Sequence, residues 1–481
     1  MGYETIIGLE IHAELNTESK MFCGCATAFG GAPNSSTCPI CLGHPGTLPV
    51  TNEQAIADTI LLGLALNCEI TPRSIFHRKN YFYPDMPKNF QISQYDIPLT
   101  ANGWLEMEVE GYTRRVGITR VHIEEDTGKS VHIGESGRIH GADFSLEDFN
   151  RAGIPLAEIV TEPDLRSPEE ARAFVQLLRA TLEYLEISDC KMEEGSLRCD
   201  ANISISVDGE TGTKVEIKNM NSFRALHHAL SYEEERQRFA LEHGEKLTQE
   251  TRHWDDAAGM THPLRSKEEA FDYRYFPEPD LVPIEPDQAW VEELRGRLPE
   301  LPQERLNRFK SQYGLSGEIA AMLTGEKALA DYFEKAVHTG QDPVELAKWI
   351  AGDLVALLKE AVVPIQTCPV GPRGLGELVA LVAQKIISGK MAKDVLKEAF
   401  QSGKGPREIV DAGGLSQIAD AGELETVVEE VISDNPDAAE DLRQGKEQAL
   451  KFLMGQVMKK TRGKANPGMA SDLLKKKLAG D

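Results

Sequence analysis

TIIGLEIHAEL (residues 5–15) alternates through its second half. In an extended chain Ile7, Leu9 and Ile11 share one side, and Glu10 and His12 the other, so the stretch predicts a half-buried strand. One strand repeat sets Glu10 and His12 roughly 6–7 Å apart. The same period recurs in LEMEVEG (105–111), RRVGITRVHIE (114–124), CDANISISV (199–207) and TKVEIKN (213–219). NGW (102–104), DTGK (126–129) and DGETG (208–212) read as turns between strands. Two long helices are interspersed. SPEEARAFVQLLRATLEYL (167–185) opens with Ser167 as N-cap, Pro168 at the first helical position and Glu170 completing a capping box. SFRALHHALSYEEERQRFALEHG (222–244) is closed by Gly244. Strands and crossover helices do not alternate regularly, which argues against a doubly wound parallel fold and for the α+β class.

The period changes near residue 292. LPELPQERLNRFKSQYGL (298–315), PVELAKWIAGDLVALLKE (343–360) and ELVALVAQKIISG (377–389) are helical in pattern, with Gly or Pro at the breaks. These signals divide the chain into a strand-rich domain at 1–292, an all-helical domain at 293–405 and a small helical tail at 406–481, with a hinge expected near Gly403–Gly405. The 481 residues suffice for about two to four domains.

Composition narrows the function. There is no run of about 18 apolar residues, so no membrane span is expected. MGYETIIGLEIHAEL has no basic leader and carries early acids, which predicts a cytoplasmic protein. The formal net charge of -25 argues against nonspecific nucleic-acid binding. That average hides a reversal. Residues 407–441 hold eleven acids and one base, and residues 443–481 hold ten bases and three acids. The basic end, including Lys459, Lys460, Arg462 and Lys464, is a candidate RNA-phosphate surface; the bland alternative is a solvated lysine-rich terminus.

Four of the eight cysteines, Cys23, Cys25, Cys38 and Cys41, form CGC…CPIC. Four soft thiolates suit tetrahedral zinc in a structural role, because no coordination position is left for chemistry. Free thiols, a redox pair or an iron–sulfur role are the alternatives.

Acids gather elsewhere at strand ends. ITRVHIEEDTGKS (118–130) carries Glu124, Glu125 and Asp126; KMEEGSLRCDAN (191–202) carries Glu193, Glu194 and Asp200; KVEIKN (214–219) sets Glu216 between Lys214 and Lys218. RKNYFYPDMPK (78–88) brings Arg78, Lys79 and Lys88 beside aromatic rings. Carboxylates with interleaved cations match Mg-nucleotide chemistry, in which the ion bridges phosphate oxygens. A solvated strand face would look the same for Glu10 and His12 alone. Lys79 could hold a phosphate, line a polar path or only anchor a carboxylate. No GxxxxGK[ST], no GxGxxG before a helix and no GxSxG occurs.

IGLEIHAEL, FHRKNYFYPDMPKNFQISQYDIP, EEDTGKS, DFNRAGIPLAEIVTEPD, KMEEGSLRCDANIS, DYRYFPEPDL and GQVMKKTRGKANP together closely resemble the B subunits of the aspartyl/glutamyl-tRNA amidotransferases, nearly end to end. The resemblance implies an antiparallel-sheet cradle related to the glutamine synthetase catalytic fold, followed by the helical and tail domains. It implies ATP- and Mg2+-dependent phosphorylation of the side-chain carboxylate of Glu-tRNA(Gln) or Asp-tRNA(Asn), then amidation by ammonia. The ammonia would come from a partner glutamine amidase, with a small third protein of the same complex clasping both. The resemblance points to Glu10, His12, Glu125 and neighbours from Glu194 to Glu216 as the metal and phosphate site, and to an intact zinc cluster. Together with the residue pattern this gives Glu10, His12, Lys79 and Glu125 as the expected catalytic residues, Glu10, His12, Glu125 and Glu216 on magnesium, and Glu194, Asp200, Lys214 and Glu216 around the nucleotide. A noncatalytic tRNA-binding scaffold and a stand-alone acid–ammonia ligase are the competing readings. The strand acids speak against the first, the basic tail against the second.

Overall fold

The computed structural model describes residues 2–109, 111–134, 142–265, 270–415, 421–444, 446–461, 464–465 and 467–478. The chain forms two compact units, Met1–Glu304 and Arg305–Asp481.

The first unit carries the strands β1 (Tyr3–Glu14), β2 (Glu69–Ile70), β3 (His77–Asn80), β4 (Phe90–Ser93), β5 (Thr100–Val109), β6 (Tyr112–Glu125) and β7 (Lys129–Ile133). They are followed by β8 (Phe144–Asp148), β9 (Pro155–Thr161), β10 (Leu197–Val207), β11 (Val215–Lys218), β12 (Thr251–Asp255), β13 (Met260–Arg265) and β14 (Phe276–Pro277). Nine of them make one sheet in the order β13-β12-β11-β10-β1-β9-β6-β5-β2; β14-β3-β4 form a second sheet and β7-β8 a hairpin. The large sheet is antiparallel except for β11 beside β12. That parallel pair departs from the all-antiparallel expectation, and it follows from the long helix lying between the two strands. NGW is no turn: β5 runs through it, and Asn102 takes a left-handed φ of 55° inside the strand.

Each face of the sheet follows from the alternation in β1. Ile7, Leu9, Ile11 and Ala13 are buried opposite Ile203, Ala201, Cys199 and Leu197. Helices α1 (Glu53–Ala65), α2 (Pro168–Tyr184) and α3 (Phe223–Glu242) pack around this apolar core. α2 starts at the expected cap, with the Ser167 hydroxyl accepting from Glu170 N–H, while the Glu170 carboxylate accepts from Arg166 N–H in place of the Ser167 N–H that a capping box would use. α1 approaches β5 so closely that a Cβ on Gly63 would lie 2.6 Å from Thr100 Cγ2, so only glycine fits there. α4 (Gln288–Gly296) ends the unit, with Leu294 in the same core.

The second unit is helical: α5 (Pro302–Tyr313), α6 (Gly317–Thr324), α7 (Lys327–Val337), α8 (Pro343–Trp349), α9 (Val355–Ala361), α10 (Pro372–Ala383), α11 (Gly389–Ser402) and α12 (Pro406–Gly413). α13 (Ala421–Asp434), α14 (Pro436–Arg443), α15 (Glu447–Lys460) and α16 (Pro467–Leu478) follow. Two cores divide these helices. One runs from Leu306 to Val410 and the other from Leu424 to Leu478. Gly403 caps α11 at φ 70°, yet Ile409 and Val410 of α12 still belong to the larger core. The break between cores therefore falls after α12, not before Pro406. Among the described residues no helix is long and apolar enough to cross a membrane.

Candidate functional site

The face of the sheet opposite the apolar core is polar, because β-pairing aligns the even-numbered residues of β1 with polar partners. His12 pairs with Glu158 on β9, which pairs with His122 on β6. Glu10 pairs with Asp200 on β10, and Asn202 with Glu216 on β11. Directly opposed residues share a face. His12 Nε2 lies 3.2 Å from Glu158 Oε2 and 3.9 Å from Glu10 Oε1. His122 Nε2 lies 3.5 Å from Glu158 Oε2 and 3.4 Å from Glu124 Oε1.

These side chains form two overlapping groups, Glu10–His12–Glu158 and His122–Glu124–Glu158, each with ligand atoms within 4.8 Å of one another. Glu124 and Glu158 are buried. Buried carboxylates at this density are costly unless a cation compensates them. The protonation pattern carries that demand. Burial opposes an imidazolium at His12, but the hydrogen bond to Glu158 and the charges of Glu158, Glu10 and Glu124 outweigh it and raise its pKa to about 9. Burial raises the Glu10 carboxyl, and the nearby Glu158 charge adds to the shift. The carboxylate oxygens fit a hard divalent ion such as magnesium, and His12, once its proton is displaced, offers a borderline nitrogen donor.

The small sheet bears on this group through β3 and β4. Ser93 Oγ donates to Glu124 at 2.6 Å and Gln91 Nε2 at 3.0 Å. Lys79 Nζ is 3.9 Å from Glu124 Oε1 and 5.2 Å from the Tyr273 ring centre. Burial disfavours the Lys79 ammonium, but Glu124, Tyr275 and Glu158 together hold its pKa above the usual lysine value.

Glu125, expected beside Glu10 and His12, is not in either group. As the next residue after Glu124 on a strand it takes the other direction. Its carboxylate receives Lys88 Nζ and, at 2.9 Å, the Ile92 N–H. It lines a cavity of about 290 Å³ shared with Lys20, Cys23, Cys41, Arg78, Lys88 and Glu278.

The four cysteines do converge, with sulfurs within 4.8 Å of one another. Backbone bonds from Leu42 to Cys38 and from Gly43 to Ile40 shape the CPIC turn, and Cys38 N–H points at Cys41 Sγ at 3.1 Å. The hydrogen bond from Cys23 lowers the Cys41 thiol pKa, while burial raises that of Cys25. Four sulfurs gathered in this way fit tetrahedral zinc.

The other expected residues scatter. Asp200 and Glu216 lie on the polar face, and Lys218 Nζ joins them, 2.5 Å from Asp200 Oδ2 and 3.6 Å from Glu216 Oε1. Lys214, the lysine expected around the nucleotide, is exposed just before β11; Lys218 is the one whose ammonium meets Asp200 and Glu216. Glu194 is in a loop, paired at 2.9 Å with Lys191, away from the two acid–imidazole groups because its segment precedes β10. In the tail, Lys460 pairs with Glu430 and Asp434, and Lys477 with Glu425 and Glu429. The acidic and basic blocks thus neutralise each other in part. Lys459 is exposed at the end of α15; Arg462 lies outside the described residues.

Sequence reasoning did not assign Glu158 or His122, and it named Glu124 only as one of the strand-end acids. One signal for Glu158 was available: it is the single acid in the apolar strand PLAEIVT (155–161).

Comparison with known proteins agrees along the whole length. Residues 5–292 match the family described as GatB/GatE catalytic domain, and residues 331–478 match the GatB domain. The B subunit of the aspartyl/glutamyl-tRNA(Asn/Gln) amidotransferase of Moorella thermoacetica is 54% identical over 480 residues, covering 99% of this chain and 100% of the relative. Its counterpart in Carboxydothermus hydrogenoformans is 54% identical, covering 99% of each, and that of Brevibacillus brevis 52%, again covering 99% of each. The polar sheet face and the cysteine knuckle are thus features of a chain that belongs to the GatB family, the B subunits of the aspartyl/glutamyl-tRNA(Asn/Gln) amidotransferases.

Proposed function

We propose that this chain is the ATP-dependent ligase component of a glutamine-dependent tRNA amidotransferase, activating the side-chain carboxylate of Glu-tRNA(Gln), Asp-tRNA(Asn) or both for amidation. The observation that carries this reading is the paired acid–imidazole group beside Lys79. A carboxylate does not exchange its oxygen for ammonia unaided, because oxide is a poor leaving group; phosphorylation by ATP with magnesium supplies a good one. Glu10, His12, Glu158 and Glu124 would hold magnesium, with His122 fixing Glu124 and Glu158. Lys79 would neutralise phosphate charge. Asp200, Glu216 and Lys218 extend the polar face for the nucleotide. A sheet of this kind is in keeping with a cradle related to the glutamine synthetase catalytic fold.

In this reading ammonia comes from a partner glutamine amidase, with a small third protein of the complex holding the two together. The cysteines hold a structural zinc, and the tail from α13 onward holds tRNA by its unpaired lysines. A scaffold without catalysis would not need buried carboxylates gathered around two imidazoles.

The test is amide formation by the full complex supplied with glutamine, ATP, magnesium and either Glu-tRNA(Gln) or Asp-tRNA(Asn). ATP-dependent product with at least one tRNA is expected; none with either would overturn the proposal, and the pair of substrates defines the range.

A further inference from the structure

Lys20 is among the most deeply buried side chains of the first unit, 1% exposed. A buried ammonium is costly unless a counter-charge sits beside it. Among the described residues Lys20 has no carboxylate within ion-pair distance. Its cavity neighbours are already committed: Lys88 to Glu125, and Arg78 to Glu278. The Lys20 Nζ instead donates to Phe149 O at 3.0 Å and faces Cys41 Sγ at 3.8 Å.

The backbone is arranged to bring it there. Lys20 N–H donates to Cys25 O, and the next residue, Met21, donates to Gly153 O. Gly153 has a φ of 89°, and a Cβ on it would lie 3.4 Å from Lys20 Cδ and 3.7 Å from Cys41 Cβ. The lysine stem passes where a side chain would crowd it.

A divalent ion held by four thiolates leaves two negative charges uncompensated. That is the counter-charge Lys20 lacks. We propose that Lys20 is the positioning residue of the cysteine centre: its ammonium compensates the metal–thiolate charge through Cys41 and ties the centre to the 149–153 segment through Phe149 O. The inference rests on the zinc reading above. The ammonium offsets the mutual repulsion of the four thiolates, which slows loss of the metal, and its N–H···S bond draws electron density from Cys41, which slows attack by electrophiles.

The test uses the full-length chain loaded with zinc or, separately, with cobalt. Lys20→Met keeps most of the stem and removes the charge; Lys20→Arg keeps the charge. Zinc loss to excess EDTA is expected to be at least roughly ten-fold faster in Lys20→Met and within about three-fold of the parent in Lys20→Arg. The sulfur-to-cobalt charge-transfer band should move to lower energy in Lys20→Met only, a signature that loss of packing would not produce. Should Lys20→Met not be recovered folded, Lys20→Gln is measured with the same expectation. If the neutral variant matches the parent in both release rate and cobalt spectrum, the role of Lys20 is overturned while the zinc site stands. A parent chain without zinc after metal-replete expression overturns both.

Discussion

Glu158 Oε2 lies 3.2 Å from His12 Nε2, across the pairing of two neighbouring strands in the middle of the large sheet. The same oxygen is 3.5 Å from His122 on the next strand. Glu158 therefore joins the two acid–imidazole groups, and it is the residue whose loss should damage both. Glu158→Gln keeps the shape and removes the charge. Mn2+ affinity of the full chain, followed by electron paramagnetic resonance, is expected to fall at least roughly ten-fold, and amide formation by the complex should drop with it. Unchanged metal affinity would exclude Glu158 from the ion's surroundings.

Glu124 and Glu125 are neighbours in sequence with different surroundings. Glu124 receives Gln91, Ser93 and the approach of Lys79, whereas Glu125 receives Lys88 and the Ile92 N–H. Glu124→Gln is expected to weaken Mn2+ binding at least roughly ten-fold, and Glu125→Gln to leave it within about two-fold. Equal losses in both variants would mean that Glu125 reaches the ion as the sequence pattern suggested.

The contrast shows what a linear pattern can and cannot carry. Alternation around Glu10 and His12 was readable because a half-buried strand needs apolar residues at every second position, as Ile7, Leu9 and Ile11 are. The capping of α2 was readable because Ser167 and Glu170 act within one turn. Glu158 was not assigned, since its role depends on which strands lie beside β9, a long-range pairing that local periodicity does not encode. Glu125 was grouped with Glu10 by the family resemblance, and strand alternation turns it away from Glu124, its neighbour in sequence. The cysteines were legible because four sulfurs in two short pairs have few other uses; Lys20 was not, because nothing local marks a lysine that folds back on Cys41.

The cysteine centre should act on stability. Metal analysis of the full chain is expected to find one zinc per chain, and Cys38→Ala should lower both zinc content and thermal stability, because a structural metal contributes folding free energy. Zinc below about 0.2 equivalents after metal-replete expression, against the occupancy a closed four-thiolate site should reach, would count against the site.

Glu334 on α7 offers a pH test in the second unit. Burial pushes its carboxyl up, but hydrogen bonds from Arg308 and Arg305 outweigh this and hold its pKa below the usual glutamate value. Arg308 Nη1 donates at 2.7 Å and Tyr313 Oη at 3.2 Å. A carboxyl whose folded pKa is depressed adds stability above its unfolded pKa and loses it as pH falls through the folded one. Glu334→Gln should thus cost about 2 kcal/mol at pH 7, with the gap to the parent closing below pH about 4.3. Urea unfolding at pH 7 and at a series of pH values below about 4.3 reads this directly; a gap independent of pH would show that charge at Glu334 is not what the arginines stabilise.

The tail lysines divide into two kinds, and that division sharpens what each should do. Lys460 lies 2.9 Å from Glu430 and 3.0 Å from Asp434 on α13. Among the described residues Lys459 and Lys464 have no carboxylate within ion-pair distance. An ammonium already engaged by carboxylates releases few counterions on meeting a phosphate, whereas an unpaired one releases its share. Lys459→Ala with Lys464→Ala is therefore expected to weaken tRNA binding by the complex roughly five-fold and to flatten the log–log salt dependence by about 1.5, near the value for two phosphate contacts. Lys460→Ala should leave the salt slope unchanged within error. Filter binding of tRNA across a salt series distinguishes the two. If Lys460→Ala flattens the slope as much as the double substitution, the pairs with α13 open when RNA binds. If neither variant changes it, the basic end of the chain has no part in holding tRNA.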